Sequence, residues 1–132
     1  MKRTAIAAGL ILAALSVNAN AEETAGLEEY TVVCAICHGE SGKGNGPFAP
    51  LLNIETPSLT ELSANNQGVF PFLDTFMAID GRTEVKGHGI GMPIWGDKFK
   101  AAVGEKYGPY GAEVIVRGRI LSLVLYLESI QE

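Results

Sequence analysis

The residues able to do chemistry crowd into one short stretch, Cys34-Ala35-Ile36-Cys37-His38-Gly39. It holds both cysteines of the 132-residue chain and one of its two histidines. Read as C-x-x-C-H, it is the attachment signature for c-type haem. In that chemistry each thiol adds across a haem vinyl group to form a thioether, and the adjacent imidazole reaches the iron from one side. The spacing suits it, because a helical turn between the cysteines brings both sulfurs to one porphyrin edge while the next residue turns beneath the metal. A Cys-x-x-Cys pair also reads as a dithiol redox centre, half a zinc site or a plain disulfide.

The start of the chain predicts where this chemistry takes place. Lys2 and Arg3 form a short positive region, Ala5 to Val17 an apolar one, and Ala19-Asn20-Ala21 supplies small residues for a signal peptidase. Residues 1–21 therefore read as a signal peptide, with an uncleaved anchor as the alternative. The apolar run is shorter than the ~20 residues that span a bilayer. Cleavage would leave residues 22–132 as one exported, periplasmic domain of roughly 110 residues, within the ordinary size range. The formal charge is −5 for the whole chain and becomes about −7 once Lys2 and Arg3 are removed. An acidic surface speaks against nucleic acid and suits a partner with a basic docking patch. It equally serves to keep an exported protein in solution.

Export and composition also sort the alternatives for the cysteines. A Cys-x-x-Cys disulfide closes too small a loop to stabilise much. A zinc site needs four ligands, and His88 is the one further Cys or His available. A thioredoxin-like protein would alternate strands with helices, and few β-branched runs occur. The chain reads instead as all-α. A helix capped by Thr24 and running to about Cys37 is predicted from the spacing of Gly26, Tyr30, Val33 and Cys37. Glycines 39, 42, 44 and 46, closed by Pro47 and Pro50, mark a loop whose backbone could pass close to a flat ligand. Short helices are expected from Pro57 to about Gly68 and from Phe72 to Ile79, the second opened by Pro71 and stopped by Gly81. Residues 81–97 read as a long loop, uncommon in a compact domain unless it is functional. The last helix, about Gly111 to Ser129, carries the apolar stripe Val116, Ile120, Leu123, Leu127 and Ile130. Leu121, Val124 and Leu125 lie off that stripe, implying deeper burial or a partner surface.

An electron-carrying haem iron needs a second axial ligand. With both cysteines consumed, the candidates are Met77, His88, Met92 and a tyrosine. Met77 falls in the apolar phase of Phe72, Leu73, Phe76 and Ile79 and reads as core. Met92 lies in the long loop before Pro93, where no packing pattern calls for methionine. His88, between two glycines, reads as a surface or loop-bonding residue.

Taken together, these residues resemble a known family, the class I (monohaem) c-type cytochromes, over nearly all of the segment after the signal peptide. Gly26 and Tyr30 precede Cys34-x-x-Cys37-His38 at the family's spacing, and Leu123 and Tyr126-Leu127 match its last helix. His88-Gly89-x-x-Met92-Pro93-x-Trp95-Gly96 is similar to the sixth-ligand segment of a bacterial periplasmic subset. The resemblance implies a cytochrome c-like fold, with N- and C-terminal helices packed together and short helices and long loops around one covalently attached haem c. It implies axial ligation by His38 and Met92, and a Pro47 carbonyl accepting a hydrogen bond from the His38 ring. Arg82, opening the loop, is expected either to contact a propionate or to be solvated, and Trp95 either to line the pocket or to pack the loop down. Ile36, Phe48, Leu51, Leu52 and Phe99 would bury the haem. The chain lacks the lysine-rich docking face of the mitochondrial members, so their partners do not carry over. The resulting expectation is a non-enzymatic electron carrier for unidentified redox proteins, a monomer or a subunit of a complex. The alternatives are the cytochrome subunit of a dehydrogenase or oxidase complex, and a ligand-binding or peroxidatic haem protein with an open iron position.

Overall fold

The computed structural model describes residues 18–82 and 92–132, and no strand occurs among them. All of the apolar region Ala5 to Val17 assigned to a signal peptide, and His88, lie outside the described residues. Four α-helices follow in order: α1 Asn18–Val33, α2 Ala35–His38, α3 Phe72–Asp80 and α4 Trp95–Ser129. Two 3₁₀ turns, Ala49–Leu51 and Ala64–Asn66, interrupt the long connection between α2 and α3. Helix α1 starts earlier than expected, so Thr24 stands inside it rather than at its cap. The proposed cleavage site at Ala19-Asn20-Ala21 falls in its first turns.

The core is the crossing of α1 on α4, with α3 packed on α4 beside it. Val116, Ile120, Leu123 and Leu127 are buried, as their spacing predicts, and Ile130 packs against them. Of the three off-stripe residues Val124 is fully buried, Leu125 half-buried and Leu121 exposed. At the crossing, Gly26 lies so close to α4 that a Cβ there would meet the Ser122 carbonyl oxygen and approach Tyr126 Cβ to 2.7 Å. One turn on, the Tyr30 ring packs on Tyr126 at 5.1 Å between centroids. The Tyr30 hydroxyl donates to the Gly39 carbonyl at 2.6 Å, so one side chain ties α1 to α4 and to the chain beyond α2. Burial pushes its phenol pKa above the ordinary value, with Cys34 and Tyr126 adding to the shift. An ion pair between Arg119 and Glu29 joins the same two helices, with both Glu29 oxygens engaged.

Helix α4 consists of two arms. Gly108 adopts φ 65° and ψ 178°, outside helical space, and Pro109 follows as a natural first helical residue. A straight helix would hold residues 99 and 119 about 30 Å apart. The Arg119 guanidinium instead stands 3.9 Å over the Phe99 ring, so the chain doubles back. The far arm therefore begins where its apolar stripe predicts. The near arm, residues 95–107, begins within the stretch 81–97 that reads in sequence as loop and runs on through residues for which no helix is expected.

The helix expected from Pro57 to Gly68 forms only as the single turn Ala64–Asn66. Tertiary partners take the backbone groups a helix would have used. Leu59 N–H donates to the Gly42 carbonyl at 2.6 Å, Thr60 accepts from Glu132 N–H, and Leu59 accepts from the Gln131 side chain. Ser63 N–H donates to Gln131 Oε1 at 2.9 Å. Such pairing satisfies the peptide as completely as a helix does. In α3, Ile79 and Thr75 are buried, whereas Phe72 and Leu73 are exposed, so its apolar pattern is only partly a core pattern. Met77 is half-buried.

Because the Gly26 crossing has no room for a Cβ, Gly26→Ala will destabilise the fold by about 1–3 kcal/mol, the usual cost of overpacking. A lowered denaturant midpoint at unchanged slope checks this; Gly104→Ala, where nothing lies near the added methyl, serves as the control.

Candidate haem site

The Cys34–His38 turn is set by α1. Cys34 N–H still bonds back to the Tyr30 carbonyl at 2.9 Å, so the helix delivers Cys34 in register before bending there. Cys37 and His38 N–H groups then share the Cys34 carbonyl at 3.1 and 2.9 Å, closing one tight turn. Cys34 is buried, Cys37 half-buried and both are unbridged. Burial, then the charges of Glu29 and Cys37, push the Cys34 thiol up to about 12. A dithiol oxidoreductase needs the opposite, a thiol lowered so that the thiolate attacks. Among the described residues no three Cys, His, Asp or Glu side chains converge as metal ligands, those of the turn included.

The following loop folds back over this turn. Gly46 N–H donates to the Cys37 carbonyl at 3.0 Å, and Phe48 N–H to the Ile36 carbonyl at 2.9 Å. At Gly46 a Cβ would stand 2.6 Å from the Cys37 carbonyl oxygen, so only glycine permits the approach. The expectation that these glycines pass a flat ligand is thus replaced at this position by contact with the backbone of the motif itself.

His38 is buried, and its Nδ1 lies 3.2 Å from the Pro57 carbonyl oxygen. A carbonyl only accepts, so Nδ1 carries the proton and, in the neutral ring, Nε2 carries the lone pair. That is the arrangement in which a metal-binding histidine is usually held. The acceptor is not Pro47, as the family resemblance implies. Gly46 and Phe48 turn their N–H groups towards α2, and Pro47 between them sits exposed. No local pattern marks Pro57 in the sequence; its carbonyl is brought in by Leu59 bonding to Gly42.

Met92 is half-buried, two residues before Ile94 and the start of α4. Arg82 departs from both of its expected roles. Its guanidinium binds the Asp80 carboxylate through Nε and Nη2 and the Glu113 carboxylate through Nη1 and Nη2, the last two bonds at 2.7 and 3.0 Å. With two carboxylates bound it is committed to the joint between α3 and α4 rather than to a propionate or to solvent. Phe99 is a core residue, under Arg119 and 5.6 Å from Trp95, which packs on the core too.

Two observations bear on whether a haem fits here. Ile36, Phe48, Leu51 and Ile54, on and just after the motif, turn 46–70% of their surface outward, and Leu52 is half-buried. A flat apolar group bonded to the cysteines would cover such side chains. In addition, Thr56 Oγ1 is buried with no hydrogen-bond partner among the described residues, next to the proline that holds His38. A buried hydroxyl left so costs about 1–3 kcal/mol, and a carboxylate substituent of a bound group is the kind of partner that removes the cost. The donor set, the apolar surface and the orphan hydroxyl all fit haem. Sequence pattern did not single out Thr56, because only the fold buries its hydroxyl. No family model, curated protein sequence or solved structure matches the chain.

The Arg82 cluster generates a pH prediction. Hydrogen bonding to Arg82, then to Arg117, holds Glu113 down from 4.5 to about 2, and Arg82 also holds Asp80 below its ordinary value. Carboxylates depressed in the fold contribute stability present above their unfolded pKa and lost as pH falls through the folded one. Denaturant midpoints of wild type should therefore fall between roughly pH 5 and pH 2, and those of Arg82→Gln should fall less steeply over that window.

Proposed function

We propose that this chain is an exported, periplasmic class I c-type cytochrome with a cytochrome c-like fold, carrying electrons on one covalently attached haem c. The observation that carries the reading is the His38 ring, buried at the end of the Cys34–His38 turn and held by the Pro57 carbonyl. Cys34 and Cys37 would hold the cofactor, and His38 and Met92 would bind its iron. Once bound, the haem supplies a one-electron Fe(III)/Fe(II) couple.

The chain's own residues do the rest. Pro57 keeps the His38 proton on Nδ1 and so presents Nε2 as the donor, in a fixed ring orientation. Tyr30 anchors the residue after the motif through Gly39, which holds the turn against α1. Ile36, Phe48 and Leu51 would exclude water from one edge, and Thr56 would donate to an acidic substituent. A soft thioether from Met92 favours the reduced state relative to a second imidazole. The crossing of the first and last helices at Gly26, Tyr30, Leu123 and Tyr126 supports the family reading. The net charge of −5 favours redox partners with a basic docking face. No helix among the described residues is long and apolar enough to cross a membrane.

Met92→Ala should leave the haem attached but lower its midpoint potential by more than about 100 mV, a modest part of the ~0.8 V that axial ligands span. Redox titration of the purified variant checks this, and a midpoint equal to that of wild type would sink the Met92 assignment.

A further inference from the structure

Helix α3 ends at Asp80, and the start of α4 at Ile94 and Gly96, just after Met92, packs against that end. Gly81 ends α3 with φ 67°, its N–H on the Met77 carbonyl. A Cβ on Gly81 would stand 3.3 Å from Ile94 Cα, so the two backbones are in contact. At Gly96, buried in the first turn of α4, a Cβ would come within 2.8 Å of the Asp80 carbonyl oxygen and would also meet Arg82 Nε. Arg82 locks this junction by bonding Asp80 at the end of α3 and Glu113 on the far arm of α4. Its side chain and those of its two partners are only 15–29% exposed. Bidentate guanidinium–carboxylate pairs of this kind hold geometry as well as charge. Arg117 Nε also donates to Glu113 Oε1, at 2.9 Å.

From this junction the path to Met92 is short and stiff. Ile94 rests on Gly81, and Pro93 fixes its own φ. The backbone of Met92 is therefore set from the α4 side by contacts that Arg82 maintains. A methionine thioether is neutral, and its hold on a metal depends on being delivered at the right distance rather than on charge. We propose that Arg82 is a positioning residue for the axial methionine, keeping Met92 in place by clamping Asp80 to Glu113. The proposal rests on the reading of Met92 as an iron ligand. It explains why an arginine beside the loop is given wholly to two protein carboxylates.

The test uses the full, haem-loaded protein and follows the long-wavelength sulfur–iron band of the oxidised form together with titration by imidazole, a ligand that displaces methionine. Arg82→Gln should weaken the band and tighten imidazole binding about tenfold or more, within the range usual for coupled sites. Glu113→Gln, which leaves the Arg82–Asp80 pair, should shift both readouts in the same direction by less, and it decides the matter if Arg82→Gln fails to fold. Glu29→Gln weakens a different ion pair between helices, with Arg119, while leaving Arg119 over Phe99, and should lower stability while leaving band and imidazole affinity at wild-type values. A wild-type band kept at full strength in both clamp variants, with unchanged imidazole affinity, overturns the clamp alone. Equal loss in Glu29→Gln also overturns it, since general loosening would then account for the effect. A haem-loaded wild type without the band overturns the Met92 reading and the clamp with it.

Discussion

The crossing of α1 over α4 rests on Gly26, whose missing side chain lets the first helix lie against the Ser122 carbonyl and Tyr126 Cβ. Once that approach is made, Tyr30 falls one turn later onto Tyr126, and its hydroxyl reaches the Gly39 carbonyl beyond α2. The position of the Cys34–His38 turn follows, because Cys34 is still bonded to the Tyr30 carbonyl. The glycine loop then closes over the turn through Gly46 and Phe48, and Leu59 on Gly42 carries Pro57 to the His38 ring. Each contact depends on the one before it, so the geometry of the site is inherited from one helix–helix approach.

The second half of the proposed site is built differently. Residues near Met92 are organised by a polar joint, in which Arg82 links the end of α3 to the far arm of α4. The near arm of α4 folds back at Gly108 until Phe99 lies under Arg119, and Arg119 in turn reaches Glu29 of α1. Arg82 thus joins the end of α3 to the far arm of α4, and Arg119 ties that arm to α1. Buried or partly buried pairs of this sort are strongly destabilising to break from one side, which makes them suitable for fixing geometry.

Features set by local pattern were legible in the sequence. The stripe from Val116 to Leu127 predicted a buried helix face and its start near Gly111, and Gly81 predicted the end of α3 in the left-handed conformation its C-cap requires. The Gly26–Tyr30 spacing placed both residues on one helix face, and the family resemblance implied that this face meets the last helix. Features set by distant partners were not legible. The segment after Pro57 has helical signals, yet Gln131, Glu132 and Gly42 take its backbone groups. Pro47 has the right residue type but alternates outward between two residues bonded to α2, and Pro57 takes the place expected of it. Arg82 was assigned from its loop position, and nothing local shows that Glu113, thirty-one residues on, will claim it. Phe99 reads in sequence as a residue that would bury the haem, and the Gly108 turn places it under Arg119.

The central claim is that Cys34 and Cys37 hold one haem covalently with His38 beneath it. The most direct measurement is the denatured mass of the protein, purified from a host that exports it and attaches c-type haem. The account predicts a chain that begins near Glu22, carries the added mass of one haem, and keeps it through acid–acetone extraction. A chain recovered from that host without haem, its two cysteines reduced or joined in a disulfide, would contradict it.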